Sequence, residues 1–254
     1  MNDEDIVDGR RPGGANTSHT IAIELLKRLL AAVPLEAPRE AYLRAAIEAN
    51  VLGRATVEGR RRAVRYLREL YLLDPSRILF RALRDLWDED PEAQAQLAGL
   101  CAFARDSVFR ASAPAVLDAP PGELVNSADL TASVQKAFPD TYNQATAAKI
   151  GRNAASSWTQ TGHLEGRVTK LRQILEARPA STAYALLLGH LQGGRGQAAF
   201  NTSWTGFLDL SPFEAESQAD RAGQRGYLEL KNAGGVVEVG FRHLLRPIDT
   251  GDRS

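Results

Sequence analysis

The sequence predicts a mainly α-helical protein of two helical bundle-like domains, the second holding a helix-turn-helix-like pair and a C-terminal β-hairpin. Three observations lead there. Apolar residues recur with helical period from 19 to about 117 and again from 127 to 191. A segment with a proline pair and a glycine, APPGELVNS at 119–127, separates the two runs. Alternation of period two emerges only at 227–241, as GYLELK and VVEVGF around Asn232, Ala233, Gly234 and Gly235, a turn sequence that tolerates positive φ. The expected organisation is a mobile tail at 1–18, a first helical domain at 19–118, a linker at 119–127, a second domain at 128–246 with its hairpin at 227–241, and a tail at 247–254.

The elements follow in order. The tail mixes Asp3, Glu4, Asp5 and Asp8 with Arg10, Arg11, Pro12, Gly13 and Gly14 and has no apolar period. IAIELLKRLLAAV is an amphipathic helix, and REAYLRAAIEANVL resumes after a break at 34–38. A helix at 57–72 buries Val64, Leu67, Leu70 and Tyr71 and turns Arg61, Arg62, Arg65 and Arg68 to the other side. The next is announced by Asp74 as N-cap and Pro75 at the first helical position, and offers Ile78, Leu79, Leu83, Leu86 and Trp87 to a core. STAYALLLGHL reads as a buried helix, QGGRGQ as a mobile loop, and FEAESQADRAG as a helix leading into the ribbon. Helix plus ribbon suits a winged helix, and equally a hairpin lying as a lid on a bundle.

Within 126–172 a helix from about Ser127 buries Leu130, Val134, Ala137 and Phe138 and stops at Pro139 and Asp140. Asn143 then caps a second helix. Its Ala147, Ile150, Ala154 and Trp158 line one side, while Thr146, Lys149, Arg152, Asn153, Ser156, Ser157 and Gln160 line the other. Such side chains suit phosphate oxygens and base edges in a major groove. Arg167, Lys170 and Arg172 follow within one or two turns. The candidate DNA-binding set is therefore Arg61, Arg62, Arg65, Arg68, Lys149, Arg152, Asn153, Ser156, Gln160, Arg167, Lys170 and Arg172, and it predicts that these basic groups lie on one side of the folded molecule. A solvated polar face is the plain alternative at each position.

Charge is balanced overall, 31 Lys and Arg against 31 Asp and Glu, but unevenly distributed. Arg54, Arg60, Arg61, Arg62, Arg65, Arg68, Arg77, Arg81 and Arg84 face only Glu58, Glu69 and Asp74, and Asp85, Asp88, Glu89, Asp90 and Glu92 follow as an acidic block. The longest apolar run, 183–191, is too short to span a bilayer, and the acidic N-terminus does not resemble a secretory signal, so a cytoplasmic protein without membrane contact is expected. Cys101, alone in LAGLCAFA, reads as a small buried hydrophobe.

Signals for catalysis, metal or cofactor are weak. His19, His163, His190 and His243 stand apart, and no second cysteine completes a zinc site. Gly193, Gly194 and Gly196 lack the preceding strand and following Lys-Ser or Lys-Thr of a phosphate loop. No serine sits in a nucleophile elbow. Asp209, Glu214, Glu216 and Asp220 read as helix-start and surface charges rather than a nuclease cluster. No catalytic residue, metal ligand or cofactor is therefore assigned.

EANVLGRATVEGRRRAVRYLRELYLLDP, a Leu-rich segment and SSWTQTGHLEGRVTKLR together resemble the BrxA-like accessory proteins of BREX anti-phage defence loci, across roughly 19–210. In that family an Asn-Val-Leu or Asn-Leu-Leu box leads into an arginine-containing helix; here the box is Asn50, Val51 and Leu52, with Arg60 to Arg68 following. The resemblance implies a largely helical fold related in part to the antitermination factor NusB, and binding of double-stranded DNA without known catalysis. It also implies other BREX proteins as partners: a methyltransferase, an alkaline-phosphatase-like protein and a large ATPase. The hairpin and the segment after Gly193 exceed the compact family pattern. The expected function is a non-enzymatic DNA-binding accessory protein of phage defence. The alternative is an interaction scaffold whose arginine face pairs with an acidic partner or with its own 85–92 block.

Overall fold

A computed structural model of the chain describes residues 5–234 and 236–247. Residues 1–4, most of the expected C-terminal tail and Gly235 of the hairpin turn lie outside the described residues. The architecture is mainly helical with a small antiparallel C-terminal hairpin.

In the first half run α1 (Ile23–Ala32), α2 (Arg39–Ile47), α3 (Val57–Tyr71), α4 (Ile78–Trp87), α5 (Gln94–Arg105), α6 (Ser107–Ala111) and α7 (Pro114–Leu117). Thr56 starts α3, its hydroxyl accepting from the Gly59 amide at 3.0 Å. Helix α4 begins three residues later than Asp74 and Pro75 suggest. The Asp74 carboxylate instead accepts from the Ser76 amide at 3.0 Å and its hydroxyl at 2.6 Å, closing a local turn ahead of the helix.

The second half contains α8 (Ser127–Ala137), α9 (Gln144–Gln160), α10 (Pro179–Leu191), α11 (Ser203–Phe207) and α12 (Pro212–Gln224). A short antiparallel pair, β1 (Leu164–Glu165) and β2 (Leu171–Arg172), lies between α9 and α10. The terminal ribbon is β3 (Glu229–Ala233) paired with β4 (Val236–Gly240). It packs on α12 and on the 3-10 turn Gly196–Phe200, which begins in the last two residues of the expected QGGRGQ loop, and this is the lid-on-a-bundle arrangement.

Helix α5 is buried from Gln96 to Ala104 and α10 from Pro179 to Gly189; the two pack together, with α3 and α4 on one flank and α11 and α12 on the other. Continuous burial explains the absence of a polar face in either sequence. Residues on both sides of the expected 119–127 linker belong to one apolar cluster reaching from Ile6 to Leu244. At its centre Phe103, Phe109, Trp158, Trp204 and Phe207 meet edge-on or tilted, with Phe103 and Phe207 centroids 5.0 Å apart. Cys101 is buried here, and burial pushes its thiol up to about 12.

Residues 5–18, expected as a tail, pack on the body. Val7 N–H donates to Ala104 O at 3.0 Å, Ser107 Oγ to Arg11 O at 2.6 Å, and Asn16 N–H to the buried Asp106 carboxylate at 2.7 Å. Hydrogen bonds with few apolar anchors hold this strap, so an apolar-period reading passes over it.

Candidate nucleic-acid interface

Helices α8 and α9 form the most extensively packed helix pair. An Asn126–Asp129 capping box starts α8, and the Asn143 side chain accepts from the Thr146 amide at 2.9 Å to start α9. The crossing is close because Gly151 of α9 faces α8: a Cβ there would drive into Thr131 Oγ1 and Ser127 O. Ala147, Ile150, Ala154 and Trp158 are buried as the period predicts, whereas Ala137 of α8 is exposed.

The polar side of α9 divides. Ser157 is fully buried; its hydroxyl donates to Asn16 Oδ1 at 2.9 Å and accepts from the Ile21 amide at 3.2 Å. Asn153 Nδ2 donates to Asn16 O at 3.0 Å, and Gln160 Oε1 accepts from the Ile23 amide at 3.0 Å. Ser157 and Asn153 thus tie the strap to α9, and Gln160 ties α9 to the start of α1, uses invisible before those segments have a place. Lys149 and Arg152 remain exposed and Ser156 half-buried.

Arg167, Lys170 and Arg172, expected to extend the basic track beyond α9, fall in and beside the β1–β2 hairpin. Arg172 is removed from the candidate face: it is 1% exposed and paired with Asp209, whose second oxygen accepts from the Leu175 amide at 2.9 Å. Arg167 is exposed, and Lys170, half-buried, donates to Thr159 Oγ1 at 2.7 Å and Gly166 O at 3.1 Å.

On α3, Arg61, Arg62, Arg65 and Arg68 are exposed, opposite the buried Val64, Leu67, Leu70 and Tyr71. Arg60 differs, donating to Ile47 O at 3.0 Å and Arg54 O at 3.3 Å. Helices α3 and α9 come together through the Ala15–Thr17 turn, which packs on both. Just beyond that turn His19 stacks on Tyr66 of α3, centroids 4.4 Å apart. Its pKa is held below the ordinary 6.5, first by burial and then by Lys149, Arg62, Arg65 and Arg54. Those four cations from α3, its approach and α9 thus share one neighbourhood. Arg152 lies one turn along α9 from Lys149 and lines, with Arg167, Lys170, Ser156 and Gln160, a cleft of about 620 Å³ between α9 and the β1–β2 turn.

Arg61, Arg65 and Arg68 border a separate cleft of about 790 Å³, where Leu43, Ile47, Val64 and Leu72 supply apolar surface and Arg39, Arg77 and Arg105 add further cations. Glu69 and Asp74 also border it. Sequence reasoning left Arg54 and His19 out of the site; only the unequal count of arginines and acids pointed toward the former.

Three further polar residues singled out in the sequence have structural partners. His163 is buried against Trp158 and Phe207, with its ring nitrogens bonded to Thr161 Oγ1 at 2.8 Å and Phe207 O at 2.7 Å, and burial lowers its pKa to about 4. Glu214 completes the α12 capping box, and Glu216 accepts from Gln197 and Asn232. Among the described residues no group of three or more His, Cys, Asp or Glu is placed to hold a metal ion, and no helix is long and apolar enough to cross a membrane. No protein-family model matches the chain, and no curated protein matches it.

Proposed function

We propose that the protein is a non-enzymatic DNA-binding accessory factor, cytoplasmic and part of a BREX-type phage-defence system. Duplex DNA would meet Arg62, Arg65, Lys149, Arg152, Arg167 and Lys170, with Ser156 and Gln160 beside them and Arg61 and Arg68 extending the interface along α3. A methyltransferase, an ATPase and a phosphatase-like protein are the proposed partners, on the family resemblance alone. The observation that carries the DNA reading is the convergence of the two predicted basic faces around His19. Among the described residues Arg62, Arg65, Lys149, Arg152 and Arg167 make no ion pair, so their charge is available to phosphates.

Fluorescence anisotropy with a random duplex tests the reading. Affinity is expected to fall steeply with salt, and Lys149→Ala with Arg152→Ala should reduce the slope of log K against log salt by about 0.9 for each phosphate that is no longer neutralised. Binding that ignores salt, or survives the double variant unchanged, rejects the proposal.

A second reading has its own observation. The cleft bordered by Arg39, Arg61, Arg65 and Arg68 combines cations with apolar surface, suiting an acidic amphipathic segment of a partner protein. Co-elution with neighbouring gene products, coupled with no duplex binding, would favour this scaffold role.

A further inference from the structure

We infer that the cleft between α9, the start of α8 and the β1–β2 turn is a binding site for a phosphomonoester. Arg152 enters it from α9, and Arg167 and Lys170 from the turn, while Ser156, Thr159 and Gln160 supply neutral polar groups. No carboxylate contributes to its lining.

The local sequence builds this arrangement. Gly166 has φ +112°, and a Cβ there would run into Thr169 O, so the turn closes tightly only with glycine. That closure brings Arg167 and Lys170 to the same cleft, with the Gly166 carbonyl accepting from Lys170 Nζ at 3.1 Å. Thr159 Oγ1 accepts from the same ammonium at 2.7 Å. Both partners are neutral, and an ammonium carries three donors. Burial lowers the pKa of Lys170, a cost that an incoming anion would offset.

The charge count selects the ligand. Three cations without an acid exceed what one internal phosphodiester neutralises. A terminal phosphate is close to dianionic at neutral pH and presents three oxygens, matching two guanidinium groups and an ammonium. Its source is either the 5′ end of a DNA strand or a free nucleoside monophosphate. The first source rests on the DNA reading; the second does not.

Full-length protein should be titrated with two blunt duplexes differing only in a 5′-phosphate or 5′-hydroxyl, and by calorimetry with adenosine 5′-monophosphate against adenosine. Preference for the phosphorylated duplex by about tenfold, corresponding to about 1.4 kcal/mol, is expected. It should vanish in Lys170→Gln, whose folding is checked by thermal unfolding, but persist in Arg62→Ala, which weakens both duplexes alike. If neither duplex binds while the monophosphate does so through Lys170, the DNA reading falls and the site stands with the free nucleotide as its source. Equal affinity for the two duplexes together with no monophosphate binding overturns the inference, as does a phosphate preference that survives Lys170→Gln.

Discussion

Two arginine-rich regions of this molecule meet opposite fates. Around the acidic block at 85–92, the cations are used: Arg84 reaches Asp88 at 2.8 Å and the carbonyls of Leu30 and Val33, Arg178 reaches Glu92 at 2.7 Å, and Arg246 reaches Asp85 at 2.5 Å. These pairings join α4 to the end of α1 and to the segment after the ribbon, and the Pro91–Ala93 turn to the start of α10. Across α3 and α9, Arg61, Arg62, Arg65, Arg68, Lys149 and Arg152 have no such carboxylate among the described residues. The difference teaches that a neutral composition conceals a division of labour. Acids are concentrated where arginines seal seams between elements, which leaves the opposite surplus with charge to offer a ligand. It also removes one version of the scaffold reading, because the 85–92 block is occupied by arginines other than those of the α3 face.

The sharpest break in this comparison is at Arg172 and Asp209, the most buried ion pair described. Asp209→Ala would leave a guanidinium buried without its partner and the Leu175 amide without its acceptor, an expected loss of about 3–5 kcal/mol in urea unfolding. Arg62→Ala with Arg65→Ala should stay within about 0.5 kcal/mol per substitution while weakening duplex binding, because exposed, unpaired side chains contribute little to folding. Equal destabilisation by both variants would erase the distinction between structural and ligand-facing arginines.

Gly151→Ala comes next. Its methyl group has no room against Thr131 and the Ser127 carbonyl, so α8 must move off α9. The expected cost is about 1–3 kcal/mol by denaturant titration. Duplex affinity should fall with it, since Arg152 follows directly on the displaced turn. Unchanged stability would show that the pair does not depend on this close approach.

The sequence made the helices legible because burial on one side imprints a period, as in α3 and α9, and burial on all sides removes it, as in α10. The terminal ribbon was legible for the parallel reason at period two. What escaped is held together by polar interactions of long sequence separation. The 5–18 strap depends on Asp106, Ser107, Asn153 and Ser157, each of which reads locally as surface. The two-residue strands β1 and β2 are too short to show alternation, so Arg172 was grouped with Arg167 and Lys170 although its side chain turns inward. One face of the candidate site, the exposed arginines of α3, follows from one helical wheel; its junction with α9 requires knowing where His19 goes.

Two buried titrating groups sharpen the comparison through pH. Burial raises the Asp106 carboxyl to about 6, against neutral amide donors from Asn16 and Phe109, and lowers His163 to about 4. From about pH 4 to 6 the folded Asp106 holds more proton than the unfolded one, so its contribution to stability is lost as pH rises. Between pH 6.5 and about 4 the unfolded His163 binds more proton, so its contribution is lost as pH falls. The slopes oppose each other. Asp106→Asn removes only the first, and its stability penalty should therefore shrink as pH rises through 4 to 6, by at most about 1.4 kcal/mol per pH unit. A penalty that grows with pH in urea titrations would mean that the amide donors outweigh burial and hold the carboxylate charged.

The smallest expected effect lies at His19, where the unpaired region reports on itself. Burial and the fields of Lys149, Arg62, Arg65 and Arg54 keep this imidazole neutral to lower pH than usual. A polyanion laid over those cations reverses the local field and favours the imidazolium, so binding would take up a fraction of a proton and duplex affinity would rise as pH falls through the region below 6.5. His19→Gln should flatten that dependence while leaving affinity near pH 8 almost unchanged, because the ring is already uncharged there. Anisotropy titrations at constant ionic strength measure both. A pH dependence that persists in His19→Gln assigns the proton elsewhere, and one absent from the parent protein places the bound phosphates away from the junction of α3 and α9, dividing the surface into two separate basic faces.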